Sequence, residues 1–391
     1  MSESNNNEDT TAIKHQNPEE ELKPRIAKDS VPDLVYRLYG LKVREIKELP
    51  SYDDLNFFFH ADNTIENKNI KSVNKDGYVL KVMNSLQSSN PEVIDAQHAL
   101  CQYVRERGVP TQVPILNIDG REWSLETFHD NENGKPVKNG PYLVRLVTFV
   151  PGKIFHETPY VPGSFYNVGI FVGKLHKAMT GFRHSFYDNY THIWIVGQVP
   201  AVRDFLKAVT CKEDVAVVNE VIDAFEDQVV PELNKFTKGV VHGDVNEQNT
   251  IMYEVPGQDN IPPSERVHDV NAMLDFADVS DSYKVYDIAI CIAYLSIDCP
   301  EERQADVGGH VLAGYFKSCS LNEDEFEALK ILVCARLCQS LVYGAHSYAQ
   351  QPGNTYLLTT SKGGWPLLHK LWQIPSNILY ARWKEIMKQY K

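Results

Sequence analysis

Two polar motifs separated by a mixed stretch constrain this chain more than any other feature. Residues 241–249 read VHGDVNEQN and residues 274–278 read LDFAD. They supply Asp244, then Asn249 five positions later, and then Asp275 behind an apolar run. Phosphoryl transfer from a nucleotide needs this inventory, because one carboxylate receives the proton of the attacking hydroxyl while an amide oxygen and another carboxylate hold Mg²⁺ on the phosphates. The spacing predicts Asp244 as the catalytic residue and Asn249 and Asp275 as metal ligands.

The order and spacing of these motifs resemble the catalytic and metal-binding loops of protein kinases, HRDLxxxN and DFG. Gly243 stands in place of the arginine and Ala277 in place of the last glycine. We therefore expect a kinase outside the protein-kinase family. Within the motifs, His242 is expected to be a structural histidine bonded to backbone, and Asp287 is expected to tie the start of a helix to the catalytic loop.

Hydrophobic periodicity predicts two lobes that meet near the break Pro151-Gly152. Strands are predicted at 42–49, 56–61, 78–82, 142–150, 242–252 and 273–276, and helices at 29–39, 91–107, 165–180, 215–233 and 325–346. The predicted fold class is α+β: a two-lobed protein-kinase-like fold with a small N-terminal lobe, built on an antiparallel sheet, and a larger, mainly helical C-terminal lobe. We divide the chain into a disordered acidic tail (1–25), an N-terminal nucleotide-binding lobe (26–150) and a C-terminal catalytic and substrate-binding lobe (151–391).

Three residues of the first lobe are candidates for holding nucleotide phosphates. Lys81 lies near the end of the alternating strand YVLKV, where it resembles the VAIK lysine that contacts the α- and β-phosphates. Residues 50–56, PSYDDLN, occupy the place of a glycine-rich phosphate loop and contain no glycine. Their backbone amides, with the side chains of Ser51 and Asn56, can still bind phosphate, although a plain turn is an equal alternative.

The expected acidic partner of the lysine is replaced by an amide. The helix position that would hold a glutamate is Gln97, which can hydrogen-bond an ammonium and cannot neutralise it. Either the nearby Asp95 takes this role or Lys81 is held in another way.

Composition excludes some functions and bounds the compartment. A net charge of −13 makes sequence-independent binding to nucleic acid or to an anionic membrane a poor prediction. The seven cysteines form no CxxC pair, no continuous apolar run approaches the length of a membrane helix, and the acidic N-terminus lacks the features of a secretory or mitochondrial signal. We expect a cytoplasmic protein that binds neither nucleic acid nor membrane.

Four residues of the second lobe are candidates for substrate binding. Asp278 and Asp281 follow the metal aspartate and could receive a substrate ammonium, although a solvated loop is equally compatible. His310, in the segment VGGH, has a weaker claim. Arg336 lies in an otherwise apolar helix, and arginine is rarely buried unpaired. It therefore pairs with an internal carboxylate or, the alternative we favour slightly, faces an acid group of the substrate.

The motifs resemble the aminoglycoside phosphotransferase (choline-kinase-like) family, whose catalytic loop reads HGDxxxxN and whose metal loop begins I/L-D-F. The match spans the chain from about residue 30 to its end. Residues 49–57, residues 142–145 with Pro151-Gly152, residues 308–314 and residues 332–341 resemble more narrowly the hydroxylysine kinases. This resemblance implies the two-lobed fold, an interlobe hinge at 146–150, and Mg²⁺- and GTP-dependent phosphorylation of the 5-hydroxyl of 5-hydroxy-L-lysine in hydroxylysine breakdown.

Two alternatives stay open. A kinase of another small hydroxylated metabolite, such as choline, homoserine or an aminoglycoside, would use the same motifs with ATP or GTP. A catalytically inactive nucleotide-binding module is the rival from another class, and the intact set Lys81, Asp244, Asn249 and Asp275 argues against it.

Overall fold

The structure is a computed structural model that describes residues 23–51, 54–132, 135–350 and 360–391, with side chains 129–138 left undescribed. Nearly all of the predicted acidic tail therefore lies outside the described residues, as do Tyr52 and Asp53 of the predicted phosphate loop.

The N-terminal lobe is an antiparallel sheet flanked by helices. Its strand order is β1-β2-β3-β6-β4, and β5 pairs with the long strand β6. The elements, in chain order, are α1 (Val31–Tyr39), β1 (Leu41–Leu49), β2 (Leu55–Ile65), β3 (Tyr78–Val82), α2 (Ser85–Ser88), α3 (Glu92–Arg105), β4 (Pro114–Ile115), β5 (Trp123–Glu132) and β6 (Lys135–Thr148).

Local sequence explains the boundaries of the first elements. In α1 the buried residues recur at helical spacing, and Gly40 ends the helix with a φ of 60°. Only glycine adopts that left-handed conformation without a steric cost. The strand β3 coincides with the predicted segment, and α3 ends two residues earlier than predicted.

The C-terminal lobe is mainly helical and carries two small antiparallel sheets, ordered β10-β9-β7 and β11-β8. Its elements are β7 (Lys153–Ile154), α4 (Pro162–Met179), α5 (Lys212–Ala224), β8 (Lys238–Val241), β9 (Thr250–Glu254), β10 (His268–Met273), β11 (Ser280–Tyr283), α6 (Lys284–Ile297), α7 (Val307–Tyr315), α8 (Glu323–Gln350), α9 (Ser361–Gln373) and α10 (Ser376–Lys388).

The largest hydrophobic cluster lies in the C-terminal lobe and includes residues of α3. Ala96, Leu100 and Val104 of that helix are fully buried in it. The sheet of the first lobe has its own cluster, which α1 covers. Helix α3 therefore connects the N-terminal lobe to the core of the C-terminal lobe, and it carries Gln97.

Helix α8 is the central helix of this core. By length and mean hydropathy alone this helix could cross a membrane, although the sequence contains no continuous apolar run of that length. However, 89% of its most apolar window is buried inside the protein. The helix is therefore accounted for by packing within the fold.

The two predicted strands that bear the motifs are displaced. The segment 242–249 connects β8 to β9, which begins only at Thr250, and β10 ends at Met273, before the second motif begins. Side-chain hydrogen bonds hold the first motif, and His242 joins it to the carbonyl oxygen of Leu274 at the start of the second. Consequently Asp244, Asn249 and Asp275 lie outside the strands.

Candidate active site

The catalytic turn begins with a glycine that no other residue could replace without a shift. Gly243 has a φ of 81°, and a Cβ at this position would lie 2.1 Å from the carbonyl oxygen of Asp278. Both constraints favour glycine. The close approach brings the first motif, which holds Asp244, directly against Asp278 at the end of the second.

A buried carboxylate on α6 holds the backbone of this turn. The amides of His242 and Gly243 donate to the two oxygens of Asp287 at 2.8 Å, and His176 is hydrogen-bonded to the same carboxylate at 2.9 Å. Burial acts to raise the pKa of Asp287, but the hydrogen bond from His176 and the nearby charges outweigh it and lower the pKa. The predicted tie between a helix start and the catalytic loop is confirmed.

The expected structural role of His242 is also confirmed. Its Nε2 is hydrogen-bonded to the carbonyl oxygen of Leu274 at 2.9 Å, and the amide of Asp244 donates to its Nδ1 at 3.2 Å. The ring therefore links the two motifs through one nitrogen each.

Three side chains orient the carboxylate of Asp244. Arg336 donates to Oδ1 at 2.9 Å, and the amides of Asn246 and Asn249 each donate to Oδ2 at 2.8 Å. Burial raises the pKa of Asp244, while the guanidinium of Arg336 acts in the opposite direction and the charge of Asp275 adds to the rise. A carboxylate with a raised pKa and a fixed orientation is suited to receive a proton from an alcohol.

Arg336 pairs with an internal carboxylate, the first of the two alternatives that its sequence position allowed. It is 2% exposed, donates to the carbonyl oxygen of Trp194 at 2.7 Å, and lies over the rings of Trp194 and Tyr294. Direct capture of a substrate acid group, which we had favoured slightly, does not fit a guanidinium that is already paired. The arginine instead holds Asp244 in place.

Asp275 occupies a strained backbone position at the opening of the second motif. Its φ of 53° is the only positive value among the non-glycine residues that the structure describes. One carboxylate oxygen lies 3.5 Å from Nζ of Lys81, and the other is buried without a hydrogen-bond partner. Burial acts to raise the pKa of Asp275, but Lys81 and Arg145 outweigh it and lower the pKa, so the group is an anion.

The oxygens available between the two motifs fit a hard divalent cation. Asn249 donates its NH₂ to Asp244, which leaves its carbonyl oxygen free of partners among the described residues, and Asp275 offers its unpartnered Oδ1. Within the described ranges, no group of three or more His, Cys, Asp or Glu side chains is placed to hold a metal. An ion bound by these two residues would complete its shell with phosphate and water oxygens, as Mg²⁺ does at nucleotide sites.

Three polar side chains form a row across the sheet of the first lobe. Asn56 of β2 is the register partner of Lys81 on β3, and Lys81 is the partner of Arg145 on β6. Direct partners in an antiparallel pair point to the same face. Lys81, Arg145 and Gln97 of α3 all line the cleft that Asp275 closes from the second lobe.

The structure answers which group partners the lysine. Asp95 accepts a hydrogen bond from Nε1 of Trp123 at 2.8 Å and is not its partner. Gln97 is 1% exposed and makes no side-chain hydrogen bond. Lys81 is instead held by Asp275 of the other lobe, so the predicted second alternative is correct.

The segment that replaces a glycine-rich loop is closed by its own polar groups. Ser51 donates its hydroxyl to the carbonyl oxygen of Asp54, and Asp54 accepts from the amide and side chain of Asn84 at 2.8 and 3.1 Å. Asp54 therefore holds Asn84, and Asn84 caps α2 by accepting from the backbone amide of Gln87 at 2.9 Å. The phosphate roles of Ser51 and Asn56 remain predictions; the Oδ1 of Asn56 is buried and unpartnered.

The remaining substrate candidates are scattered. Asp278 lies 3.9 Å from the ring of His192 and, by its charge, supports the charged form of Arg336, so it belongs to the surroundings of Asp244. Asp281 is exposed on β11, 3.9 Å from Arg183.

His310 departs from its predicted place. Its Nδ1 is hydrogen-bonded to the hydroxyl of Tyr390 at 2.8 Å, and it lines a separate cavity with residues of α4 and α10. A Cβ on Gly308 would lie 2.4 Å from the ring of Trp383. Helix α10 therefore packs against the Gly-Gly-His segment, and His310 does not join the Asp244 cluster.

Sequence reasoning missed two residues of this site. Asn246 orients Asp244 and also accepts from the amides of Gln248 and Asn249 at 2.9 Å. An asparagine two positions after the aspartate is a signal for such a turn. Arg145 lies in the segment 142–145, for which no role in the site was predicted, although a strand arginine among apolar neighbours is itself unusual.

Comparison with known proteins agrees with this geometry. A profile of the phosphotransferase enzyme family matches residues 45–326. The chain is 34% identical to the hydroxylysine kinase of Bos taurus over 376 residues, covering 94% of this chain and 95% of that protein. It is 32% identical to the hydroxylysine kinase of Danio rerio over 375 residues, covering 95% and 98%.

A solved structure shares the fold. An amicoumacin kinase in complex with AMP-PNP and Ca²⁺ aligns with a TM-score of 0.57 at 16% identity, covering 93% of this chain and 94% of that one. The predicted two-lobed α+β fold is thereby confirmed.

Proposed function

The chain belongs to the hydroxylysine kinases of the phosphotransferase enzyme family, and we propose that it transfers the γ-phosphate of GTP to the 5-hydroxyl of 5-hydroxy-L-lysine in hydroxylysine breakdown. Family membership makes it an enzyme that phosphorylates a hydroxyl group of a small metabolite. The observation that carries the choice of acceptor is similarity along nearly the whole length of both chains to curated hydroxylysine kinases. The choice of GTP over ATP rests on the family resemblance.

The chemistry follows from the residues of the catalytic turn. Asp244, held by Arg336, Asn246 and Asn249, would align the acceptor hydroxyl and receive its proton as the oxygen attacks phosphorus. Lys81 would hold the phosphates of the donor from the first lobe. A Mg²⁺ ion bound at Asn249 and Asp275 would neutralise phosphate charge.

A buried carboxyl group near Asp244 supports an acceptor that brings its own cation. Glu247 follows Asp244 in the turn; its Oε1 accepts from the side-chain amide of Gln248 at 3.3 Å, and its Oε2 is buried with no partner among the residues described. Burial raises the pKa of Glu247 to about 7. Hydroxylysine carries two ammonium groups, and one of them placed at Oε2 would offset the cost of burying the carboxylate. The nearby Asp278 is a second candidate for the same contact.

The setting of the protein is proposed on composition. All seven cysteines are free thiols, which supports a reducing compartment such as the cytoplasm. The acidic charge supports small-molecule partners over nucleic acid or membranes.

A substrate panel tests the proposal. Turnover is measured on 5-hydroxy-L-lysine, homoserine and choline, each with GTP and with ATP, and L-lysine serves as the matched control that lacks the hydroxyl. We expect the largest kcat/KM for hydroxylysine with GTP and no phosphorylation of lysine. A larger kcat/KM for choline or homoserine would refute the acceptor, and a preference for ATP would refute the donor.

A further inference from the structure

Arg145 is a cation at the deep end of the nucleotide cleft. It stands next to Lys81 in the cross-strand row, and both side chains line the cleft with Gln97 and Asp275. Arg145 is 5% exposed. Burial raises the pKa of Asp54 against the charges of Lys81 and Arg145, whereas at Asp275 the charges of the same two residues outweigh burial and lower the pKa. Two positive charges therefore face a cleft in which a single lysine was expected.

Arg145 is held by a histidine and not by a directly bonded carboxylate. Its Nη1 bonds Nε2 of His98 at 3.2 Å, while Nδ1 of the same ring lies 2.6 Å from Glu122. The ring must therefore carry its proton on Nδ1 and accept from the guanidinium. Burial lowers the pKa of His98, which keeps the ring neutral. Among the described residues no carboxylate forms an ion pair with Arg145, and its Nε has no partner at all.

Gln97 keeps this arrangement positive. Both polar atoms of its side chain are buried without partners, beside Arg145 in the cleft lining. A glutamate here would place a carboxylate within reach of the two cations. The amide can donate to a ligand and leaves the guanidinium free.

A buried guanidinium with no carboxylate in direct contact is costly in the empty protein. Asp275 pairs with Lys81, and the charges of Asp275 and Asp54 act on Arg145 without forming an ion pair with it. The unsatisfied Nε of Arg145 and the amide of Gln97 are donors that converge on the same cleft as Lys81. An anion that enters the cleft would satisfy all of them, and planar guanidinium groups bind phosphate oxygens especially well.

We propose that Arg145 is a second phosphate-binding residue of the nucleotide site, acting beside Lys81, and that Gln97 is neutral so that Arg145 stays available to the donor. The proposal rests on the proposed function only in taking a nucleoside triphosphate as donor, and it holds for any acceptor. The relay from Glu122 through His98 positions the guanidinium.

Binding of a phosphate ladder tests the role of Arg145. The affinities of guanosine, GDP and GTP, and of adenosine, ADP and ATP, are measured by calorimetry for the full chain and for Arg145→Met. We expect the affinity for the di- and triphosphates to fall about 10- to 100-fold, as for a lost hydrogen bond to a charged group, with nucleoside affinity unchanged. Equal losses along the ladder, or no loss, would overturn the proposal.

Thermal unfolding separates this role from a structural one. Met has no charge to compensate, so Arg145→Met should unfold without ligand at the wild-type temperature or above, and GDP should stabilise it less. If Arg145→Met is destabilised without ligand and still binds the di- and triphosphates more tightly than the nucleoside by the wild-type factor, Arg145 only supports the fold. Arg145→Lys, which retains the charge, should keep part of the ladder even if the Met variant folds poorly.

Gln97→Glu supplies an independent readout. If Arg145 serves the phosphates, the new carboxylate neutralises it, and GDP affinity falls in the wild-type background by more than in the Arg145→Met background. If a glutamate at position 97 instead improves nucleotide binding, Gln97→Glu raises the affinity for GDP, and the proposal is wrong.

Discussion

The ion pair between Asp244 and Arg336 makes a prediction that separates catalysis from stability. Replacing Asp244 by Asn removes the carboxylate that, among the residues described, forms the ion pair with a guanidinium that is 2% exposed. The new amide also cannot accept from Arg336 and from the two asparagines at once, because it has one oxygen. Loss of one partner of a buried pair costs about 3–5 kcal/mol. We expect the lower end, about 3 kcal/mol, because the Asp244 side chain is 20% exposed and Arg336 keeps its bond to the Trp194 carbonyl.

The double variant Asp244→Asn, Arg336→Met identifies the source of that loss. Without the guanidinium, the amide can turn its oxygen to Asn246 and Asn249, so about 1–3 kcal/mol should return as coupling between the two sites. Turnover should not return, because the proton acceptor is absent in both variants, and kcat should stay about 10²- to 10⁴-fold below wild type.

Urea unfolding and steady-state kinetics are measured for the wild type, Asp244→Asn, Arg336→Met and the double variant, which gives the changes in stability and in kcat. Additive losses of stability would contradict the pairing, and a kcat for Asp244→Asn within a few-fold of wild type would rule out its catalytic role. The double-mutant cycle also separates loss of the proton acceptor from displacement of the turn, either of which could lower the activity of Asp244→Asn.

Further predictions concern the metal, the turn and the Gly-Gly-His segment. Asp275→Asn should abolish most of the gain in GDP affinity that Mg²⁺ produces, by about tenfold or more, and an unchanged Mg²⁺ response in calorimetry would exclude it as a ligand. Asp287→Asn should lower the free energy of unfolding, measured in urea, by about 1–3 kcal/mol for each backbone amide left without an acceptor, and should also lower kcat; a stable, active variant would contradict its role. His310→Phe should leave kcat and KM near wild type, whereas Gly308→Ala should lower the unfolding temperature because its Cβ meets the Trp383 ring; a large rise in KM for His310→Phe would return that residue to the substrate site.

The lysine partner shows why part of the site could not be read from the chain. The sequence showed that Gln97 stands where the carboxylate partner of Lys81 is expected. The carboxylate that pairs with Lys81 is that of Asp275, which lies in the other lobe and far along the chain. Cross-strand register and interlobe closure decide that contact, and neither leaves a local pattern. The same holds for Arg336, whose partner among several carboxylates is chosen only when α8 packs behind the catalytic turn.

By itself the sequence determined the two-lobed α+β class, the end of α1, the extent of β3, the tie from Asp287 to the first motif, and the identities of the catalytic and metal-binding candidates on their two motifs. Those properties depend on periodicity, turn chemistry and spacing, which are local. Only the tertiary structure decided that the motifs lie outside the strands, that Arg336 holds Asp244, that His310 packs against α10, and that Arg145 stands beside Lys81. Contacts between distant segments depend on how helices and strands pack, because burial and charge compensation are properties of the assembled core.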